Sequence, residues 1–483
     1  MDEKVDFSGR PFHFIGIGGI GMSAIAYVLL KQNCSVSGSD KNLTHITHRL
    51  KQHGAHIFET HAADNLTVFS PQAEQTFQNH LPQVICSTAI SDTNPEYQAA
   101  LALGCPIFHR SDVLAGLMQN YRGIAVAGTH GKTTTTSMIG YVLLKAGLDP
   151  TVIVGGEVEA WQGNARAGAG DYLIAEADES DGSLVKFSSQ VGIVTNIELD
   201  HPDYYQSIED VIQIFQQFSS RCKILIASAD CPITNQALKP TVTYSITPES
   251  RADYVATQVK YNEHGTQALI FERGRPLGQL SLKVLGAHNL SNSLAAVALG
   301  RLLGLTFETI AAALSGFEGA RRRYELRGEV NQIAFIDDYA HHPSEIQATL
   351  AAARLQAQSN RRIITIFQPH RYSRTLALMD EFSQSFADAD CVVITDIYAA
   401  GEAALPAISG KVLAETIQCH HSQVTYQPTL SDVMSHLKTI LRPGDVALFL
   451  GAGNLNQIIP DLIAFYQQQD VSKSLRSEVS LNI

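Results

Sequence analysis

The sequence predicts an α/β protein of three domains built on parallel sheets. Three observations carry this reading. The chain has 483 residues, which at roughly 150 residues per domain makes room for about three. Three apolar strands each run straight into a special loop: Phe12-His13-Phe14-Ile15 into glycines, Ile124-Ala125-Val126-Ala127 into Gly128, and Ile333-Ala334-Phe335-Ile336 into Asp337-Asp338. Between such strands lie helical stretches, the alternation that crossover-connected parallel strands require.

The elements follow in order. After the first glycines a helix is expected from Met22 to Leu30, and after Lys132 another from Ser137 to Lys145. Ser207, with Asp210 three residues on, is close to a capping box and opens a helix to Phe218. Further helices are expected from Ser291 to Leu303 and from Ser344 to Leu355. The stretch from Val242 to Val284 is β-rich and broken at Glu263-His264-Gly265 and Arg273-Gly274-Arg275-Pro276, which reads as hairpins inserted in the central domain. The polar end from about Gln467 is expected to fray. Domains are expected at 1–120, 121–326 and 327–483.

Composition narrows the function. Apolar residues make up 45% and charged residues 17%, an ordinary globular balance. No apolar run approaches the ~20 residues of a bilayer span, and the start of the chain shows no apolar signal segment. A cytoplasmic protein without membrane partners is expected. The net charge of −12 disfavours a nucleic-acid partner, which needs a basic face. Seven scattered cysteines without a CxxC pair suggest neither a disulfide framework nor a zinc site; reduced, mostly buried thiols are expected.

Seven groups of residues carry chemistry. Gly128-Thr129-His130-Gly131-Lys132-Thr133-Thr134 lies between a buried strand and a helix. Backbone N–H groups at a helix start favour phosphate oxygens, lysine adds a point charge, and the adjacent hydroxyl can ligate Mg²⁺. The loop is short: a full P-loop wants glycine at 126 or 127, where Val126 and Ala127 stand. The earlier Gly16-Ile17-Gly18-Gly19-Ile20-Gly21 matches G-x-G-x-x-G, with Asp40 after the next strand; it asks for a pyrophosphate and a ribose, which NAD and a UDP-sugar both offer. Two acidic strand ends follow, Glu176-Ala177-Asp178-Glu179-Ser180-Asp181 and Glu198-Leu199-Asp200-His201. Carboxylates there suit a hard ion such as Mg²⁺, while His201 reads equally as a metal ligand, a proton carrier or a helix-entry residue. Beyond them, His288-Asn289-Leu290-Ser291-Asn292 opens a helix with asparagines that serve as caps or read a purine edge. Arg321-Arg322-Arg323 is dense positive charge, and Arg371 and Arg374, three apart, are expected to share a helix face and clamp a carboxylate.

Taken together these motifs resemble the Mur ligases of peptidoglycan synthesis. The matching segments are Gly16 to Ser23, Ala127 to Thr134, Glu176 to Asp181, Asp200-His201, His288 to Asn292, Arg322-Arg323, Asp337-Asp338-Tyr339-Ala340-His341-His342-Pro343 and Phe367 to Arg374, in family order. The resemblance implies a Rossmann-like UDP-binding domain, a central ATPase domain and a Rossmann-like third domain that receives an amino acid. It implies ATP-dependent joining of L-alanine to the lactyl carboxylate of UDP-N-acetylmuramate through an acyl phosphate, with ATP and Mg²⁺ as cofactors and a monomer or weak homodimer as the assembly.

Carried over residue by residue, the resemblance places Gly128, Thr129, His130, Gly131, Lys132, Thr133, Thr134, His288, Asn289, Asn292 and Asp338 at ATP. It makes Thr133 and Glu176 ligands of Mg²⁺ and His201 the ligand of a second Mg²⁺. Gly18, Gly19, Ile20, Gly21, Met22, Ser23 and Asp40 become the UDP site, and Tyr339, His341, Arg371 and Arg374 the alanine end. The catalytic set it implies is Lys132, Glu176, His201, Arg323 and His341. Because the arginine run is three long, whether Arg322 or Arg323 faces the phosphate stays open. Three rival readings exist: a ligase of the same family that recycles a preformed tripeptide, an NAD-dependent oxidoreductase using only the first loop, and an ATP-binding regulatory module without catalysis. The second leaves the lysine loop unexplained, and the third leaves Asp338, Arg371 and Arg374 without purpose.

Overall fold

The structure is a computed structural model that describes residues 4–69, 81–202, 204–262, 265–357 and 361–469. Its strands fall into three sheets, one for each expected domain.

The first sheet holds β1 (Phe12–Ile15), β2 (Val36–Ser39), β3 (His56–Phe58), β4 (Gln83–Cys86) and β5 (Ile107–His109) in the order β3-β2-β1-β4-β5. All its pairings are parallel. Every residue of β1, β2 and β4 is buried, as expected of strands covered on both faces. The chain winds to one side of β1 and then to the other, so the crevice lies past the C-terminal end of β1, where Gly16 to Gly21 sit. The helix that follows runs Ile20–Lys31, starting ahead of the expected Met22. Its Gly19 N-cap has extended backbone, and the first turn closes as Ser23 N donates to Gly19 O.

The second sheet is large and mixed. It contains β6 (Arg122–Ala127), β7 (Thr151–Val158), β8 (Gly163–Arg166), β9 (Tyr172–Glu176), β10 (Val191–Val194), β11 (Ile224–Ser228), β12 (Val242–Ser245), β13 (Tyr254–Asn262), β14 (Gly265–Glu272) and β15 (Arg275–Leu282), ordered β15-β14-β13-β12-β11-β10-β6-β9-β7-β8. At its centre β6 pairs in parallel with β10 and β9; Ala127 stands opposite Val194, and Val126 opposite Glu176. The three loops that carry chemistry therefore leave neighbouring strands at one edge. The expected hairpins are the antiparallel β13-β14-β15 meander; Glu263 and His264 lie outside the described residues. The Ser207–Asp210 capping box forms as expected and opens helix Ile208–Ser220.

The third sheet has β16 (Glu325–Val330), β17 (Ile333–Asp338), β18 (Ile363–Phe367), β19 (Cys391–Ile394), β20 (Val424–Tyr426) and β21 (Val446–Leu450), ordered β16-β17-β21-β18-β19-β20. Only β16 runs antiparallel, and it begins ahead of the expected division at 326/327. Register puts Asp338 and Phe367 on either side of Leu450, so the loops after β17 and β18 flank the same strand end.

Three expectations change here. Helix Ala287–Leu302 starts ahead of Ser291, so Asn289 and Asn292 sit inside it and Gly286 is its N-cap. Helix Pro343–Ala357 extends past the expected Leu355. Residues 459–469 are helical, so the chain is ordered through Gln467 to Gln469; the remainder of the tail lies outside the described residues. Apolar packing is continuous between the first two units: residues of the first helix, such as Ile25 and Leu29, share a buried cluster with Ile153 and Ala165 of β7 and β8. All seven cysteines are free; two are buried, four half-buried and Cys419 exposed. Among the described residues, no helix is long and apolar enough to cross a membrane.

Candidate active site

The short glycine loop is shaped by its neighbour strand. Gly128 and Gly131 have φ of 134° and 82°, values open to glycine at little cost. A Cβ at Gly131 would also lie 2.6 Å from Asn292 Oδ1. Thr129 N donates to Asn196 O at 3.0 Å and His130 N to Asn196 Oδ1 at 2.8 Å, while Glu198 N donates to Thr129 Oγ1 at 2.8 Å. The loop after β10 therefore clamps the loop after β6, which explains how a loop lacking the usual first glycine still holds its shape.

Lys132 opens helix Lys132–Lys145. Its Nζ donates to the carbonyls of Gly128 (2.7 Å) and Thr129 (3.1 Å) and to both oxygens of Glu179 (2.9 and 2.8 Å). Burial presses its pKa down, but Glu179, Asp178 and Glu176 outweigh this and hold it above the usual lysine value. The ammonium stays charged over the loop, and Glu179 is a functional neighbour the sequence reading did not single out. Its signal was its place in the acidic strand end. Glu176 accepts from Gly155 N at 2.7 Å and bonds Thr133. Burial raises its pKa against the pull of Lys132.

His130 does something the sequence did not show. Its ring turns toward the third unit, with Nδ1 3.1 Å from Glu345 and Nε2 3.4 Å from Glu198. Burial opposes protonation, yet the two carboxylates raise its pKa to about 10. Ser344 Oγ donates to Glu198 at 2.6 Å, a second tie across the same seam. The donors of His130, Glu198 and His342 lie within 4.8 Å of one another, but the imidazolium already supplies positive charge there.

A cavity of about 240 Å³ opens beside the loop, lined by Gly131, Thr134, Asn289, Asn292, Arg323 and Asp338 among others. A larger one, about 620 Å³, adjoins it and shares Asn289, Arg323 and Tyr324. His288 belongs to the smaller cavity; burial, with Arg323 adding to it, lowers its pKa to about 4. The structure separates the two arginines. Arg323 lines both cavities, whereas Arg322 donates to Gly451 O at 2.6 Å and lies 3.5 Å from Asp337. Asp338, raised to about 6 by burial, accepts from Tyr324 N and Ala340 N, both at 2.7 Å.

In the third unit Tyr339, His341 and His370 stack edge to face, and His370 lies parallel to Tyr398. The expected arginine clamp does not form as drawn. Arg371 precedes helix Tyr372–Ala377 as its N-cap, with φ of 68°, so it is off the helix face that carries Arg374. Arg371 lies 3.5 Å from Glu402, while Arg374 reaches across to Asp200 at 2.8 Å. His201, next to Asp200, has a left-handed φ of 67°, and burial holds its pKa below the usual imidazole value.

At the first loop, Gly18 N donates to Asp40 Oδ2 at 2.8 Å, so the acid and the glycine loop lie together. Gly19, Ile20 and Gly21 lead from it into the helix. The Met22 and Ser23 side chains are buried in the helix, and Ser23 Oγ donates to Ile20 O and accepts from Asn164. Arg110, which the sequence reading passed over, stands between this loop and the acidic strand end. It is 3.2 Å from Asp178 and 3.5 Å from Asp181 and packs against Gly21.

A glycine loop and lysine at a sheet edge, met by an arginine from a separate domain, have the arrangement expected of a ligase of the ATP-using class. Comparison with known proteins agrees along most of the chain. The family described as "Mur ligase family, catalytic domain" matches residues 11–122, "Mur ligase middle domain" residues 126–300, and "Mur ligase, glutamate ligase domain" residues 322–453. The UDP-N-acetylmuramate–L-alanine ligase of Nostoc punctiforme is 62% identical over 473 residues, covering 96% of this chain and 98% of that one. The ligase of the same name from Microcystis aeruginosa is 57% identical, covering 97% and 98%. Among solved structures, the UDP-N-acetylmuramate-alanine ligase of Thermotoga maritima superposes with a TM-score of 0.80 at 30% identity, over 95% of this chain and 99% of that one. A murein peptide ligase from Psychrobacter arcticus shares the fold, with a TM-score of 0.69 at 24% identity over 94% and 98%. The chain belongs to the Mur ligase family.

Proposed function

We infer that this chain joins L-alanine to the lactyl carboxylate of UDP-N-acetylmuramate, giving UDP-N-acetylmuramoyl-L-alanine, ADP and phosphate, a step of peptidoglycan precursor synthesis. One structural observation carries the reading beyond the likeness to relatives of that name: the 2.8 Å contact of Arg374 with Asp200 brings the third domain to the strand end beside the lysine loop. A carboxylate is a poor acyl donor because oxide is a poor leaving group. Its oxygen attacks the γ-phosphorus of ATP, the β–γ bridge bond breaks, and ADP leaves. The alanine nitrogen then attacks the acyl carbon, the C–O bond to phosphate breaks, and the amine proton is lost.

Lys132 holds the β/γ-phosphates, with Gly128, Thr129, His130, Gly131, Thr133 and Thr134 supplying the cradle. Arg323 offsets charge on the transferred phosphoryl group. His288, Asn289, Asn292 and Asp338 take the rest of the nucleotide. Gly18 to Ser23, through their backbone, and Asp40 take the UDP, and Tyr339, His341, Arg371 and Arg374 form the alanine end.

Mg²⁺ fits the oxygen donors beside the loop. The Thr133 hydroxyl and the Glu176 carboxylate adjoin each other, and Glu176 is a half-buried acid whose charge Lys132 only partly offsets. A hard cation would suit that pair, and His201, whose pKa burial lowers, would hold a second Mg²⁺. When bound, the ion neutralises charge on the phosphates.

The first division lies near 120/121, between β5 and β6, and the second lies ahead of the expected 326/327, between β15 and the start of β16 at Glu325. The reaction runs in the cytoplasm, which free cysteines suit, in a monomer or weak homodimer without nucleic-acid or membrane partners.

The test uses purified protein, ATP, Mg²⁺ and UDP-N-acetylmuramate. Phosphate release should require L-alanine. Release indifferent to L-alanine but strong with the tripeptide would mean the recycling activity instead.

A further inference from the structure

Asp200 carries no assigned part in the reaction, yet it is the most committed acid at the site. Arg374 Nε and Nη2 both lie 2.8 Å from its Oδ1. The two side chains are 3% and 5% exposed and come from different domains, one from the loop after β10 and the other from the helix after β18. A buried charge left without its partner is strongly unfavourable, whereas two charges that separate into water are each rehydrated. This pair is therefore stable in two situations only: closed together, or apart with the domains open.

The same contact has ends on both sides of the site. Asp200 Oδ1 also accepts from His201 N at 2.9 Å, so it fixes the backbone that aims His201. Arg374 Nη1 lies 3.3 Å from His370 Nδ1, within the aromatic group at the alanine end. One guanidinium thus joins the phosphate edge to the amino-acid pocket. Its Nε–Nη2 edge, the fork that would clasp a carboxylate, is already filled by Asp200.

We propose that Asp200 is a positioning residue: by holding Arg374 it seats the third domain over the phosphate edge. This rests on the ligase reading. It places Arg374 ahead of both chemical steps rather than in amino-acid binding alone.

The experiment compares two nucleophiles in the full-length enzyme with ATP, Mg²⁺ and UDP-N-acetylmuramate. One is L-alanine. The other is hydroxylamine, whose nitrogen attacks the acyl carbon, expels phosphate and loses a proton to leave a hydroxamate. It has no carboxylate to be clamped. Asp200→Asn and Arg374→Gln should each lower kcat for both nucleophiles by a similar factor, roughly tenfold or more for a lost charged hydrogen bond. The alanine KM should move less than kcat. The double variant should be no worse than the poorer single, as two residues acting as one unit require. Binding of UDP-N-acetylmuramate, measured by calorimetry, checks that each variant is folded, and Arg374→Lys replaces any that is not. Wild-type hydroxamate formation in Arg374→Gln, with only the alanine KM raised, overturns the proposal, as does a multiplicative loss in the double variant. A wild-type enzyme that releases no phosphate with L-alanine or with hydroxylamine overturns the ligase reading and this proposal with it, whereas wild-type rates with both nucleophiles in both single variants overturn this proposal alone.

Discussion

Lys132 and His130 stand two positions apart in one loop and serve opposite directions. Lys132 turns inward to Glu179 and the loop carbonyls, while His130 turns outward to Glu345 and Glu198. Lys132→Ala should abolish turnover and leave UDP-N-acetylmuramate binding intact, because the two sites belong to different sheets; phosphate release and calorimetry measure the two halves. For His130 the folded pKa, about 10, lies above the reference 6.5. A raised pKa means that its contribution to stability is whole below about 6.5 and fades as pH rises through about 10. The Tm difference between wild type and His130→Gln should accordingly be largest near pH 6 and shrink toward pH 10. A difference that grew with pH would show that the imidazolium is not what ties the loop to the third domain.

Among the helices, caps and burial act separately. Helix Ile208–Ser220 is amphipathic, with Val211, Phe215 and Phe218 buried. Its Ser207 side chain accepts from Asp210 N, and Asp210 answers to Ser207 N. Ser207→Ala should cost about 1 kcal/mol, read as a lower denaturant midpoint with an unchanged slope, and kcat should stay at the wild-type value since Ser207 touches nothing at the site. Helix Ala287–Leu302 is buried nearly all round, so it has no polar face to mark its start. That is why the sequence placed its beginning too late and read Asn289 and Asn292 as possible caps. They occupy interior positions instead, and Asn289 Nδ2 donates to Leu285 O at 2.8 Å.

For the whole molecule, function depends on three sheets presenting their edges to one space. Two kinds of contact cross the seam between the second and third: the buried Asp200–Arg374 pair and the Glu198–His130–Glu345 chain. Chelation of Mg²⁺ should stop phosphate release while UDP-N-acetylmuramate still binds to the first domain, and restored Mg²⁺ should recover the rate. Arg371→Ala should raise the alanine KM by roughly tenfold, the scale of one charge-assisted contact, with the KM for ATP little changed. Initial rates over a range of each substrate distinguish these effects; a raised ATP KM with an unmoved alanine KM would remove Arg371 from the amino-acid end.

The sequence by itself determined the fold class, the three units and the strand ends that carry chemistry. Those signals are local: an apolar run buried on both faces, then a glycine or an acid where the strand stops. Gly18 with Asp40, and Lys132 with its loop, were legible for that reason. Side-chain direction was not. Nothing in Arg321-Arg322-Arg323 tells which arginine faces the cavity; that depends on how the chain crosses between sheets, and Arg323 was chosen by that crossing. That the Met22 and Ser23 side chains are buried was not legible either, because it depends on the helix starting at Ile20. Arg371 and Arg374 looked like a pair because they are three apart, but one stands outside the helix and the other is claimed by Asp200. Partners far apart in sequence leave no periodic trace, so only the tertiary structure decided which charges meet.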